Sequence, residues 1–141
     1  MIDSDYKAKI IHRDSFSPHP AVEAIQAGPR LIAGGSKIKE LKQTSSHSQR
    51  AGLCVDSKQR VIFFVTSGFG GTTLSTLQSA LLSESIGCFD SLNLDGGSSA
   101  QMYIAPKLPG ASQEHQEMVL GGTEAVPVAI GLFQKDPKFL N

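Results

Sequence analysis

Apolar and polar positions along the chain fall into two regimes. Residues 1–20 are weakly patterned, and Pro18 and Pro20 flank His19, so an N-terminal arm or entry loop is expected there rather than a regular element. The stretch 21–35, AVEAIQAGPRLIAGG, reads as two short extended pieces divided by Gly28-Pro29, because proline keeps the residue before it out of the helical region. KIKELKQTSSHSQ is polar and rich in Ser and Gln, which predicts an exposed loop with room for one short strand.

From Arg50 the pattern sharpens. RAGLCVDSKQRVIFFVTS predicts a β-hairpin turning at Asp56–Gln59, and its second arm is a continuous apolar run of the kind buried on both faces. Thr73 is a good N-cap for a helix beginning at Leu74. Leu74, Leu77 and Leu81 recur at helical spacing, Leu82 and Ile86 widen the face, and Gly87 is the expected stop. CFDSLNLDGG returns to strand, where alternation sends Leu92 and Leu94 one way and Asn93 and Asp95 the other. SAQMYIA predicts another strand, 106–124 a polar excursion, and AVPVAIGLF (125–133) a last strand before a fraying tail.

About six or seven strands with one main helix give an α+β fold, a mixed β-sheet with the helix packed on it. The expected organisation is an arm over 1–20, one domain over 21–134 and a tail over 135–141. With 141 residues the chain can bury one core of ordinary size. Its formal net charge is zero and its basic residues are scattered, so nothing draws it to nucleic acid or an acidic membrane surface. It shows no signal peptide and no apolar run of spanning length; the compartment reads as cytoplasmic if the chain is complete, exported if it is part of a longer precursor. Cys54 and Cys88 fit no metal-binding spacing. They read as two buried thiols, with a disulfide the alternative in an exported protein.

Candidate chemistry gathers at two glycine-rich stretches. In NLDGGSS, Asn93 and Asp95 would offer an amide and a carboxylate at a strand end. Gly96 and Gly97 would let a ligand approach the backbone, and Ser98 and Ser99 would add hydroxyls. A strand–turn–strand with Asp-Gly as turn chemistry is the plainer reading of the same residues. TSGFGGTTL leads from a strand into a helix N-terminus, where anions are favoured, but its spacing matches neither a dinucleotide fingerprint nor a P-loop. Arg30 and Arg50 are potential anion clamps. His12, His19, His47 and His115 lie in polar or Pro-rich segments and are expected in solvent. No metal set is evident. Asp56, Asn93 and Asp95 are oxygen ligands of the type a divalent cation such as calcium takes, and no other cofactor is expected.

The order of these motifs is more telling than any one of them. AIQAGPRLI, QRAGLCVDSKQRVIFFV, GGTTLSTLQSALL, Gly87 and LNLDGGSSAQMY together resemble the phosphodiester glycosidase family, whose hallmark is Asn-x-Asp-Gly-Gly-Gly-Ser. Here Ser98 replaces the third glycine and Ser99 matches the serine. The resemblance covers roughly 24–133 and implies a hydrolase that cleaves the bond between a sugar and a phosphate diester. Its site would use Asp95 and Asn93 for catalysis, and Gly28, Pro29, Arg30, Arg50, Gly96, Gly97, Ser98 and Ser99 to hold a sugar-phosphate or glycoconjugate substrate. Two departures bear on activity. Only a short stretch precedes Gly28, where relatives carry a long N-terminal part. Glu124 stands where relatives have an arginine before the valine, here Val126. A non-catalytic sugar-phosphate binding module, or an inactive fragment that pairs with itself or a partner chain, is therefore the alternative expectation.

Overall fold

A computed structural model describes residues 1–42, 45–66, 68–106, 116–122 and 124–133. Its strands are β1 (Ile2–Asp3), β2 (Ala21–Glu23), β3 (Arg30–Ala33), β4 (Ser36–Lys37), β5 (Arg50–Asp56), β6 (Val61–Val65), β7 (Cys88–Gly96), β8 (Gln101–Ile104) and β9 (Met118–Gly121), with one helix, α1 (Leu74–Leu81). They form a five-stranded sheet in the order β4-β3-β7-β5-β6 and two separate pairs, β1-β2 and β8-β9. The fold is α+β, as its sequence implies, but the single mixed sheet is not what forms. Every described pairing is antiparallel, and the strands divide among three sheets. Hairpins link β3 to β4 and β5 to β6. The crossover through α1 carries the chain past β5, so β7 enters between β3 and β5 rather than beside β6.

The local elements follow from local chemistry. Asp56 makes the β5–β6 turn: its Oδ1 accepts from the Lys58 N–H (2.9 Å) and the Arg60 N–H (2.8 Å), and its Oδ2 from Arg60 Nε (2.6 Å). Thr73 caps α1, its hydroxyl accepting from the Thr76 N–H at 3.0 Å. The helix ends at Leu81, before Gly87; the Ser83 hydroxyl donates to the Ala80 carbonyl at 2.7 Å, and Gly87, with φ of 66°, closes the turn that follows. The helix lays Leu74, Leu77 and Leu81 on Leu31, Ile32, Cys54 and Cys88, with Ile62 and Phe64 at the margin. Buried Gln78 fastens it further, donating from Nε2 to the carbonyls of Leu31 (2.8 Å) and Ile38 (2.9 Å).

Cys54 and Cys88 form a disulfide, not two free thiols, with their Cα atoms 5.7 Å apart. Both lie in the core, on adjacent strands, a proximity their sequence separation conceals. Strand β6 is an edge strand, not one buried on both faces. Ile62 and Phe64 meet the core. The face opposite the helix carries Leu53, Phe63, Val65 and Leu92, all half-buried. The arm at 1–20 holds β1 and a turn of 3-10 helix at Arg13–Ser15.

Residues 125–133 form no strand. Their periodicity suits one, but no described strand edge pairs with them, and Val128, Leu132 and Phe133 lie in solvent. Strand β9 instead emerges from the polar excursion, paired along its length with β8. The expected tail at 135–141 lies outside the described residues. No described helix is long and apolar enough to cross a membrane.

Two tests follow from this frame. The disulfide closes a loop across a separation of 34 residues, which in the chain-entropy model corresponds to about 4 kcal/mol. Urea unfolding of the Cys54→Ala/Cys88→Ala variant should show a loss of about 2–4 kcal/mol, and an unchanged midpoint would contradict the bond. The second test concerns Asp56. Burial raises its pKa, but hydrogen bonds from Arg60 and Lys58 and the Arg60 charge outweigh it, leaving the carboxyl below its ordinary value. The stability this adds is present above the unfolded-state pKa and is lost as pH falls through the lower folded-state value. Asp56→Asn should therefore be less stable than wild type at pH 7, with the gap closing as both are titrated into the acid range.

Candidate active site

The site forms where the ends of β5 and β7 meet the glycine loop before α1. Arg50 pairs with Gly96 in register and Gly52 with Asn93, so β7 carries one residue more than β5 between these pairs. This is a β-bulge, and it breaks strict alternation. Asn93 and Asp95 consequently do not share an environment. Asn93 is 4% exposed and its Oδ1 has no hydrogen-bond partner, whereas Asp95 is exposed at the strand end and accepts from the Gly96 N–H at 2.7 Å. The Asn93 N–H donates to the Pro29 carbonyl at 3.0 Å, which brings the Gly28-Pro29 segment against β7.

The two arginines have different surroundings. Arg30 forms a half-buried ion pair with Asp90, which also accepts from the Gly34 N–H at 3.2 Å. Its Nη2 is thus engaged on the sheet face, while its Nε, like that of Arg50, is buried without a hydrogen-bond partner. Arg50 donates to the Ser46 carbonyl at 3.2 Å and leaves Nε buried without a partner. It lies over Gly96, where an added Cβ would come within 3.3 Å of Arg50 Nη1 and 3.0 Å of the Gln49 carbonyl oxygen. Glycine at 96 is what lets the guanidinium lie against the backbone.

Beyond Gly96 the chain makes a 3-10 turn at Gly97–Ser99, closed by the Ser99 hydroxyl donating to the Gly96 carbonyl at 2.9 Å. The Gly97 N–H donates to the Gln49 carbonyl at 2.9 Å. On the other side of Gln49, Ser48 and Thr72 exchange backbone hydrogen bonds of 3.1 and 2.8 Å, seating Gly71 against the Ser48 backbone. The Gly122 N–H donates to the Ala100 carbonyl at 3.1 Å. The resulting open cleft, of about 460 Å³, is lined by Gln49, Gly68, Gly70, Gly71, Gly97, Ser98, Gly121 and Gly122. Its wall is mostly backbone, a surface suited to ligands recognised through N–H and C=O groups.

The structure thus brings the two glycine-rich stretches together. Gly97 and Ser98 line the cleft; Gly96 and Arg50 are paired beside it; Asp95 extends from the strand end. Gly28, Pro29 and Arg30 lie along β7 and are not in the lining, nor is Asn93. Ser99 serves the turn. Asp56 and Asp95 sit at opposite ends of the β5–β7 pair, roughly 20 Å apart at about 3.3 Å per residue. Asp56, Asn93 and Asp95 do not converge on a cation. Among the described residues, no group of three His, Cys, Asp or Glu side chains could hold a metal ion. His12, His19 and His47 are exposed; His115 lies outside the described residues. Glu124 is exposed and contributes its carbonyl, which accepts from Gln101 Nε2 at 2.9 Å. Sequence reasoning missed Gln49 and Gly121–Gly122. The paired glycines within a polar stretch were the available signal, whereas Gln49 becomes significant only once β5 and the glycine loop are adjacent.

Gly71 is central to this wall. It has φ of 67°, and an added Cβ would lie 2.1 Å from the Ser48 carbonyl carbon. Gly71→Ala should cost about 1–3 kcal/mol through combined strain and overlap, read by thermal unfolding. A melting midpoint equal to wild type would mean that the loop does not seat on Ser48.

The model of the phosphodiester glycosidase family matches residues 2–133. A search of curated proteins found no match. Among solved structures, a hypothetical protein from Synechocystis is similar, with 27% identity and a TM-score of 0.46; the alignment covers 53% of this chain and 16% of that one.

Proposed function

Because the chain belongs to the phosphodiester glycosidase family, we propose that it hydrolyses the glycosidic bond between a sugar and a phosphate diester at the glycine-lined cleft. The convergence of the Gly68–Gly71 loop, Gly97–Ser98 and Gly121–Gly122 around Gln49, with Arg50 and Asp95 alongside, carries this reading. Water attacks the anomeric carbon as the bond from that carbon to the phosphate oxygen breaks, through an oxocarbenium-like transition state. Asp95 serves the sugar side, activating water or stabilising the positive charge that develops there. Arg50 and cleft N–H groups other than those of Gly97 and Gly122, which donate within the fold, hold the phosphate, whose departing charge they match. The group that departs is a phosphate monoester anion, a good leaving group, so a strong general acid is unnecessary. Asn93, buried against the Gly28-Pro29 segment, positions the end of β7. Arg30 serves the sheet through Asp90.

The alternative is a sugar-phosphate binding module without turnover. The Arg30–Asp90 pair and the exposed Glu124 favour it, since each leaves the cleft with less positive charge than the family pattern implies. The Cys54–Cys88 disulfide supports maturation in an oxidising compartment.

Purified protein incubated with a 4-nitrophenyl phosphodiester of a sugar 1-phosphate should release product, and Asp95→Asn should lower kcat by about 10²–10⁴-fold. Absence of turnover by folded wild type would overturn the enzymatic reading. Calorimetric binding of the diester without turnover would establish the module. Turnover that survives in Asp95→Asn would remove Asp95 from the chemistry.

A further inference from the structure

Phe69 is the residue in the site region whose placement core packing does not explain. Its side chain is fully exposed, at the tip of the loop whose glycines 68, 70 and 71 line the cleft. A lone exposed apolar residue on a surface is ordinary. This one is a whole aromatic ring at the rim of a cleft that otherwise offers almost only backbone.

The loop is built unevenly. Its C-terminal end is fixed, with Gly71 against Ser48 and Thr72 bridged to the same residue. At the tip, nothing lies within 4 Å of where a Cβ would stand on Gly68 or Gly70, and both have positive φ, 131° and 89°. Phe69 is therefore flanked by two glycines in open space, next to a base seated on Ser48. Glycine on both sides gives the ring a wide range of backbone directions at little steric cost.

We propose that Phe69 is a specificity-determining residue, a platform that stacks on the apolar C–H face of the sugar ring of a substrate held in the cleft. The inference rests on the proposed function of that cleft and adds the side chain that tells a sugar phosphate from bare phosphate. The backbone wall and Arg50 take the polar, anionic part. Phe69 supplies the apolar contact that the glycine lining lacks, as aromatic side chains do in pockets that orient ligands by a few polar groups. The ring contacts the sugar equally in ground and transition states, so it contributes uniform binding.

The test uses Phe69→Ala and Phe69→Trp with the 4-nitrophenyl phosphodiester of α-glucose 1-phosphate. Phe69→Ala should raise KM up to about tenfold, the range of an aromatic stacking contact, with kcat within about twofold and the melting midpoint unchanged. Phe69→Trp should keep KM near wild type. Because the chain contains no tryptophan, this variant also carries a single reporter. Its fluorescence should change on adding glucose 1-phosphate and not on adding inorganic phosphate. An unchanged KM in Phe69→Ala, or an equal fluorescence response to inorganic phosphate, overturns the stacking role while leaving the hydrolase reading intact. A folded wild type that neither binds nor cleaves the diester overturns both.

Discussion

The insertion of β7 between β3 and β5 is the constraint on which the rest of this structure depends. It gives the sheet its centre and joins the Gly28-Pro29-Arg30 segment to the β5–β6 hairpin. Its ends have distinct roles. At Cys88 it is fastened to β5 by a disulfide within the core beneath α1. At Gly96 it is paired with Arg50 and leads into the turn beside the cleft. A strand held covalently at one end and by hydrogen bonds along its length is a stiff mount for a reactive loop at the other. The bulge before Gly96 fits this arrangement. It ends strict pairing where the chain must turn outward, burying Asn93 while leaving Asp95 in solvent.

The cleft is assembled by backbone rather than by packed side chains. Gln49 links its parts: its carbonyl accepts from Gly97, and its neighbour Ser48 pairs with Thr72 beside Gly71. Side chains at Gly71, Gly121 or Gly122 would collide with neighbouring chain. At Gly121, for example, a Cβ would fall 2.1 Å from the Ala100 carbonyl oxygen. Close approach of main chain to main chain makes the wall largely of backbone, with the Gly97 and Gly122 N–H groups donating to the Gln49 and Ala100 carbonyls. The cost is that such a wall discriminates weakly among ligands of similar polarity, so selectivity falls to whatever side chains stand at its rim.

Much of this was legible in the sequence where the signal was local. The Asp56 turn, the Thr73 cap, the leucine spacing of α1 and the division at Gly28-Pro29 each depend on residues within a few positions of one another, and each appears close to where the chemistry puts it. What the sequence concealed was long-range. Nothing near Cys54 announces Cys88, and nothing within CFDSLNLDGG announces that β5 will force a bulge after Asn93. The apolar run of β6 and the alternation of 125–133 are true strand propensities, but a strand is completed only by neighbours. At β6 the described sheet supplies a neighbour on one side, and at 125–133 on neither. The site was divided in the same way. Asp95, Gly97 and Ser98 were recognisable as a motif, whereas the commitment of Arg30 to Asp90 and the role of Gln49 required the fold.

The separation of Arg30 from Arg50 has a chemical consequence. Two cations converging on one phosphate would bind the departing group tightly before and after the bond breaks, and release would suffer accordingly. With Arg30 paired to Asp90 on the sheet face, Arg50 is the arginine beside the cleft. In the proposed reaction such a site would hold a phosphate diester modestly and gain most when charge develops on the departing oxygen, which is the difference between ground and transition state that accelerates a reaction. In that reaction, modest anion binding would leave substrate affinity to depend on the sugar. That is why an aromatic ring at the tip of a glycine loop matters more here than it would in a cleft crowded with positive charge.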